Sequence, residues 1–165
     1  AVSYLIQQGH RKIAVLGGPA TSHPSIMRRQ GAQQAMEDAG IRFEDKLYGL
    51  SNYDFESAYH AMNGLLARRA EFTALFAMSD VIAFGAIRAL VSAGLRVPED
   101  VSVIGFDGIT MSRYCVPVMT TIVQPSEQIA LQSIELLVRQ IEHGTPAQTV
   151  TLQPELQQGE SVRAI

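Results

Sequence analysis

The chain has a single cysteine, Cys115, among 165 residues. An internal disulfide is therefore excluded, and a lone thiol fits a reducing cytoplasm. With no His or Lys beside it, Cys115 reads as a small buried or interface residue. Long apolar runs are lacking as well. A bilayer span needs about 20 such residues, so no membrane partner is expected. No basic stretch running into an apolar one opens the chain, so no secretory leader is visible. Basic clusters are scarce too. There are 13 Lys and Arg against 16 Asp and Glu, a net charge of −3. Arg11–Lys12, Arg28–Arg29 and Arg68–Arg69 are isolated pairs. A surface that neutralises several phosphates needs clustered cations, so this segment is not expected to bind nucleic acid by itself.

The usual marks of catalysis and cofactor binding are missing. There is no G-x-G-x-x-G and no P-loop lysine. No G-x-S-x-G elbow occurs. His10, His23, His60 and His143 lie on separate elements, without the spacing of a zinc site. No base–nucleophile pair stands out. No cofactor, no metal and no enzymatic activity are therefore expected.

What is present is an ordinary globular composition, 47% hydrophobic and 18% charged, in a chain long enough for one core. The most informative segment is Leu95-Arg-Val-Pro-Glu-Asp-Val-Ser-Val-Ile-Gly-Phe-Asp107-Gly. Gly94 can cap a helix and Pro98 prevents its extension. Val101 to Phe106 then reads as a strand buried on both faces, which implies a parallel sheet. It stops at an acid. Further strands are expected at Lys12–Leu16, Leu47–Leu50, Ala74–Met78, Thr120–Val123 and Thr149–Leu152. Helices are expected at Val2–Gln8, Ser25–Ala39, Asp54–Leu66, Ser79–Ala93 and Ser126–His143. The last is the clearest amphipathic helix, with Ala130, Ile134, Leu137, Val138 and Ile141 in one stripe and Gly144 as its stop. This alternation predicts an α/β fold with a doubly wound parallel sheet.

Open α/β sheets bind ligands beyond the carboxyl ends of their strands. Polar or aromatic residues gather at that edge: Ser22, His23 and Arg28 after the first strand, Tyr53 after the second, Ser79 and Asp80 after the third, and Asp107 after the fourth. Each has a plain alternative. Ser79 and Asp80 suit a helix N-terminus, Tyr53 can pack a loop, and His23 can be solvated. Arg28, placed in the first turn of its helix, opposes the helix dipole, which favours a ligand role. Gly17-Gly18-Pro19 is either a phosphate cradle or a tight turn. Convergence on one rim predicts a small-molecule cleft rather than a catalytic centre.

At these residues the chain resembles the LacI/GalR family of bacterial transcription regulators, in the carboxyl-terminal part of the effector-sensing domain. Tyr4-Leu-Ile-Gln-Gln-Gly-His-Arg-Lys-Ile-Ala-Val-Leu-Gly-Gly-Pro19 looks like the entry into that family's second subdomain. Arg28-Arg-Gln-Gly31 fits its R-x-x-G helix start, and Ser79-Asp-Val-Ile-Ala-Phe-Gly-Ala86 its N-D-x-x-A-x-G-A helix. Val97-Pro-Glu-Asp-Val-Ser-Val-Ile-Gly-Phe-Asp107 and Pro117-Val-Met-Thr-Thr-Ile-Val-Gln-Pro125 complete the match.

The resemblance implies a fold similar to type I periplasmic binding proteins, with a flavodoxin-like carboxyl subdomain at 9–123 and 148–165. Residues 1–8 and 124–147 would belong to an amino subdomain. The DNA-binding helix-turn-helix would lie outside this chain, a fragment of a longer protein. Arg28 would bind effector oxygens, Asp107 would accept from hydroxyls, Tyr53 would stack on a ring, and Gln124 would reach the cleft. Ser79 stands where many sugar-responsive relatives carry Asn. Gly159-Glu-Ser161-Val replaces a tail that often reads R-x-S-T. Relatives form homodimers, and Val81, Phe84, Ile87, Tyr114 and Cys115 occupy those interface positions. The expected function is effector sensing, with a sugar as effector and allosteric control of operator binding. A periplasmic sugar-binding protein of the same fold is the alternative, and an α/β enzyme with its catalytic half elsewhere is a further one.

Overall fold

A computed structural model describes residues 1–144 and 146–165. Strands β1 (Ile13–Gly17), β2 (Tyr48–Leu50), β3 (Ala74–Ala77), β4 (Ser102–Asp107) and β5 (Thr120–Val123) form a parallel sheet, and β6 (Glu155–Gln157) adds an antiparallel edge. The order is β2-β1-β3-β4-β5-β6. The chain thus reverses direction across the sheet between β1 and β3, and the crevice outside that switch point is where doubly wound sheets take ligands. β1 and β3 are buried along their whole length, as short apolar strands covered on both faces must be.

Helices α1 (Val2–Gln7), α2 (His23–Asp38), α3 (Phe55–Ala67) and α4 (Asp80–Ser92) cover the sheet, and α5 (Ser126–His143) follows β5. α3 and α4 pack most closely because Gly85 lets them touch. A Cβ there would lie 2.5 Å from the Phe55 carbonyl oxygen and 2.7 Å from Ala58 Cβ. Leu65, Leu75, Ile82, Leu90 and Ile104 are fully buried at the centre of the core. His10 is buried as well. Its Nε2 donates to the Arg163 carbonyl at 3.1 Å and its Nδ1 lies 2.9 Å from the Thr73 hydroxyl. It thereby joins the β1 entry, the β3 entry and the tail.

Two local expectations are corrected. Thr149–Leu152 is not a strand. The free edge of β5 pairs instead with 155–157, Val123 opposite Glu155, and a β-branched run without a neighbouring strand has nothing to bond. α2 begins at His23, so Arg28 stands in the second turn and the dipole argument loses force. On α4, Leu90 is core and Val91 is 53% exposed. Residues 1–8 dock on the described body: Val2 and Leu5 are buried, and the Gln8 carbonyl accepts the Ile165 N–H at 2.9 Å. α5 behaves otherwise. It buries no residue, and Ile134, Leu137 and Ile141 are exposed. Thr145, within the 124–147 segment, lies outside the described residues.

The altered tail has a definite role. Ser161 is fully buried, donates to the Val103 carbonyl at 2.6 Å and accepts the Thr120 N–H at 2.8 Å. A hydroxyl both donates and accepts, so this one residue bridges β4 and β5.

Candidate effector cleft

The centre of the rim is a cluster around Asp107. This residue ends β4 with φ 118, a conformation that non-glycine residues adopt only when their surroundings hold them there. Its Oδ1 accepts the Gln124 side-chain amide at 2.7 Å and pairs with Arg28 Nη2 at 3.5 Å. Its other oxygen takes no hydrogen bond from a described residue. Arg28 reaches across from α2. Its Nη1 donates to the Met78 carbonyl at the end of β3, and its guanidinium lies 3.8 Å from the centre of the Phe106 ring. Cation–π stacking of this kind suits a guanidinium better than an ammonium. Partial burial pushes the Asp107 carboxyl above its usual range, and the Arg28 charge and the Gln124 amide act against that. The Arg28 and Asp107 side chains remain 18% and 26% exposed, enough for a ligand atom to reach them.

A second cluster adjoins the first through α2. Ser25 lies three residues before Arg28, on the same helix face. It is buried, and its hydroxyl is 2.7 Å from the Tyr53 hydroxyl. The Tyr53 ring lies against Gly18, where a Cβ would fall 2.1 Å from the ring carbon Cε2. Gly18 thus serves as a seat for an aromatic ring. Tyr53 has φ 60, a second left-handed non-glycine residue at the rim.

The remaining expectations fare differently. Asp80 does not reach the rim. It is fully buried, with Oδ1 accepting the Thr121 hydroxyl at 2.5 Å and Oδ2 accepting the Ile109 N–H at 2.8 Å. Burial raises its carboxyl, these two bonds oppose the rise, and the Asp107 charge adds to it. Ser79 is buried too, and its Oγ accepts the Ile82 N–H at 3.1 Å, so its side chain caps α4. His23 is exposed and Ser22 half-buried at the start of α2, and Ser22 makes no side-chain cap bond. Neither contacts the Asp107 cluster. Sequence reasoning missed Ser25 and Phe106. The spacing of Ser25 from Arg28 was the available signal for one, and the position of Phe106 beside Asp107 for the other.

At the expected interface, Val81, Phe84 and Ile87 are half-buried, with Phe84 stacked 6.2 Å from Phe55. Tyr114 is 80% exposed. Cys115 is half-buried, its thiol directed at the Ser112 and Pro117 carbonyls. Among the described residues no group of His, Cys, Asp and Glu could hold a metal ion, and no helix is long and apolar enough to cross a membrane.

A carboxylate, a guanidinium, an amide and an aromatic ring gathered near the switch point of a 2-1-3-4-5 sheet suit a ligand-binding α/β domain. Residues 2–162 match the family described as periplasmic binding protein-like domain, and the chain belongs to that family. Its relatives are transcription regulators. It is 37% identical over 166 residues to the HTH-type transcriptional repressor PurR of Histophilus somni, covering 100% of this chain and 50% of that protein. For PurR of Proteus mirabilis the identity is 38%, over 96% of this chain and 47% of that protein. The chain spans about half the length of these curated relatives. A sugar-binding LacI-family transcriptional regulator of Escherichia coli, solved with phosphate, superposes with TM-score 0.92 at 35% identity, over 99% of this chain and 59% of that one. The regulator CelR in complex with cellobiose gives 0.93 at 35% identity, over 98% and 50%.

Proposed function

We propose that this chain is the carboxyl-terminal part of the effector-sensing region of a LacI-type transcription regulator, acting as a repressor in the cytoplasm. Its effector is a small polar molecule of the sugar class. The observation that carries this reading is the Arg28–Asp107–Gln124 cluster at the carboxyl edge of the sheet. A carboxylate beside a guanidinium offers acceptor and donor at the spacing of neighbouring hydroxyls, and Tyr53 supplies a ring to lie against a sugar face. The sugar-binding and cellobiose-bound relatives support the ligand class, and the regulatory relatives support a regulator over a periplasmic carrier or an enzyme.

In this reading the carboxyl subdomain comprises 9–123 and 148–165. The uncovered apolar stripe of α5 supports placing 124–147 with an amino subdomain that forms the opposite wall. Residues 1–8 form a junction that also packs on the carboxyl body. Effector favours one arrangement of the two subdomains through its differential affinity, and so alters operator binding by a helix-turn-helix outside this chain. Homodimerisation uses Val81, Phe84 and Ile87 of α4 and the Tyr114–Cys115 loop. Tyr114→Asp, at an exposed aromatic position, should shift the full-length protein from dimer to monomer in sedimentation velocity.

The test is a thermal-shift screen of the full-length protein against cellobiose, monosaccharides, nucleosides and sugar phosphates, since a ligand that binds only the folded state raises Tm. Calorimetry on the Asp107→Ala variant follows. Hydrogen bonds to a charged group contribute about 1.5–3 kcal/mol, so affinity should fall by about 10- to 100-fold while operator binding without effector persists. Unchanged affinity would reject the assignment of Asp107.

A further inference from the structure

We infer that Asp80 is a positioning residue for Asp107, acting from beneath the cleft and never touching the effector. The inference rests on reading Asp107 as the acceptor that meets the effector. Asp80 opens α4 and is fully buried. Its carboxylate sits over Gly105 of β4, where a Cβ would lie 2.2 Å from Oδ1. The Thr121 hydroxyl and the Ile109 N–H bind its two oxygens at 2.5 and 2.8 Å. One side chain therefore ties α4, β5 and the turn leaving the site, across the face of β4.

Only Gly108 separates Ile109 from Asp107. Asp107 has φ 118 and Gly108 has φ 72, so the chain passes through two left-handed positions in succession. Such a path persists only when both ends are held. On one side the Asp107 carbonyl accepts the Gln124 N–H at 3.1 Å, within the β5 register. Gly108 itself is pressed on Val123, with 2.7 Å left for a Cβ. On the other side the Asp80–Ile109 bond is the anchor. Once it is lost, the turn is free to relax, and the Asp107 carboxylate leaves Gln124 and Arg28. A carboxylate suits this post because it accepts at both oxygens. An Asn would keep one acceptor for the Ile109 N–H and donate to the Thr121 hydroxyl, so the anchor is broken only when both oxygens go.

The test needs no effector. Full-length protein, perdeuterated and labelled with [¹⁵N]glutamine, reports the Gln124 side-chain amide by TROSY, with Gln124→Glu as the assignment variant. Asp80→Ala removes both acceptors. Ile109→Pro deletes the donor at a residue whose φ of −65 proline adopts. Leu65→Ala, a deletion in the core between α3 and the sheet, controls for lost stability. We expect the Gln124 amide pair to move in Asp80→Ala and in Ile109→Pro, to move no further in the double variant, and to stay in Leu65→Ala. Unmoved signals in either single variant, or an equal shift in Leu65→Ala, overturn the inference. Where Asp80→Ala does not accumulate as folded protein, Ile109→Pro decides alone. A failed sugar screen with a positive result here would sink the effector reading and leave the positioning role standing.

Discussion

Gly18→Ala isolates the seat of the Tyr53 ring. Gly18 does not occupy the left-handed region, so alanine suits its backbone, and the substitution alone should stabilise by about 0.4–1 kcal/mol through the unfolded chain. The obstacle is steric. The new Cβ would stand 2.1, 2.3 and 2.6 Å from three ring carbons of Tyr53, whereas carbon atoms rest about 3.5–4.0 Å apart. The ring must shift by more than about 1 Å, which breaks its 2.7 Å bond to Ser25. Overpacking costs about 1–3 kcal/mol and the lost hydrogen bond about 0.5–1.5 kcal/mol. The net expectation is a destabilisation of about 0.5–4 kcal/mol. In a Tyr53→Ala background the obstacle is gone, and Gly18→Ala should turn stabilising. Urea midpoints of the four proteins of this cycle, at constant slope, decide the matter. An equal loss with and without Tyr53 would refute the reasoning.

Two more outcomes follow from buried polar groups. Burial holds the His10 imidazole below its ordinary 6.5, with the bond to the Arg163 carbonyl acting the other way. As pH falls below 6.5 the unfolded chain takes up the proton first, so stability is complete above that value and declines beneath it. Urea midpoints at about pH 7.5 and about pH 5.5 should differ in that sense, and His10→Asn should lessen the difference. Ser161→Ala leaves the buried Thr120 N–H without its acceptor, which should lower stability by about 1–3 kcal/mol by the same assay. An effect near zero there would show that β4 and β5 do not need the tail between them.

Much of the fold was legible because its determinants are local. The apolar strands, the Ser79 cap, the left-handed Gly144 and the β4–Asp107 boundary each depend on residues within one turn or one pleat. The site was legible in outline for a related reason. In a parallel sheet every strand ends at the same edge, so finding the strand ends finds the rim. Which side chains face outward from that rim is another question. Asp80 and Arg28 were both placed there as charged residues near strand ends. The room over Gly105 and the hydroxyl of Thr121, distant in sequence, draw Asp80 inward. The Phe106 ring and the Met78 carbonyl hold Arg28 in the cleft.

The amino-acid order alone determined the alternation of strands and helices, the parallel sheet and the carboxyl edge at which the candidate residues gather, since periodicity and caps act over a few residues. Tertiary structure decided which strand takes the edge beside β5, where the Asp80 carboxylate goes, what fills the space above Gly18, and that α1 docks while α5 stands uncovered. Those outcomes depend on contacts between residues far apart in the chain, where steric room and unmet hydrogen bonds, rather than local preference, select the partner.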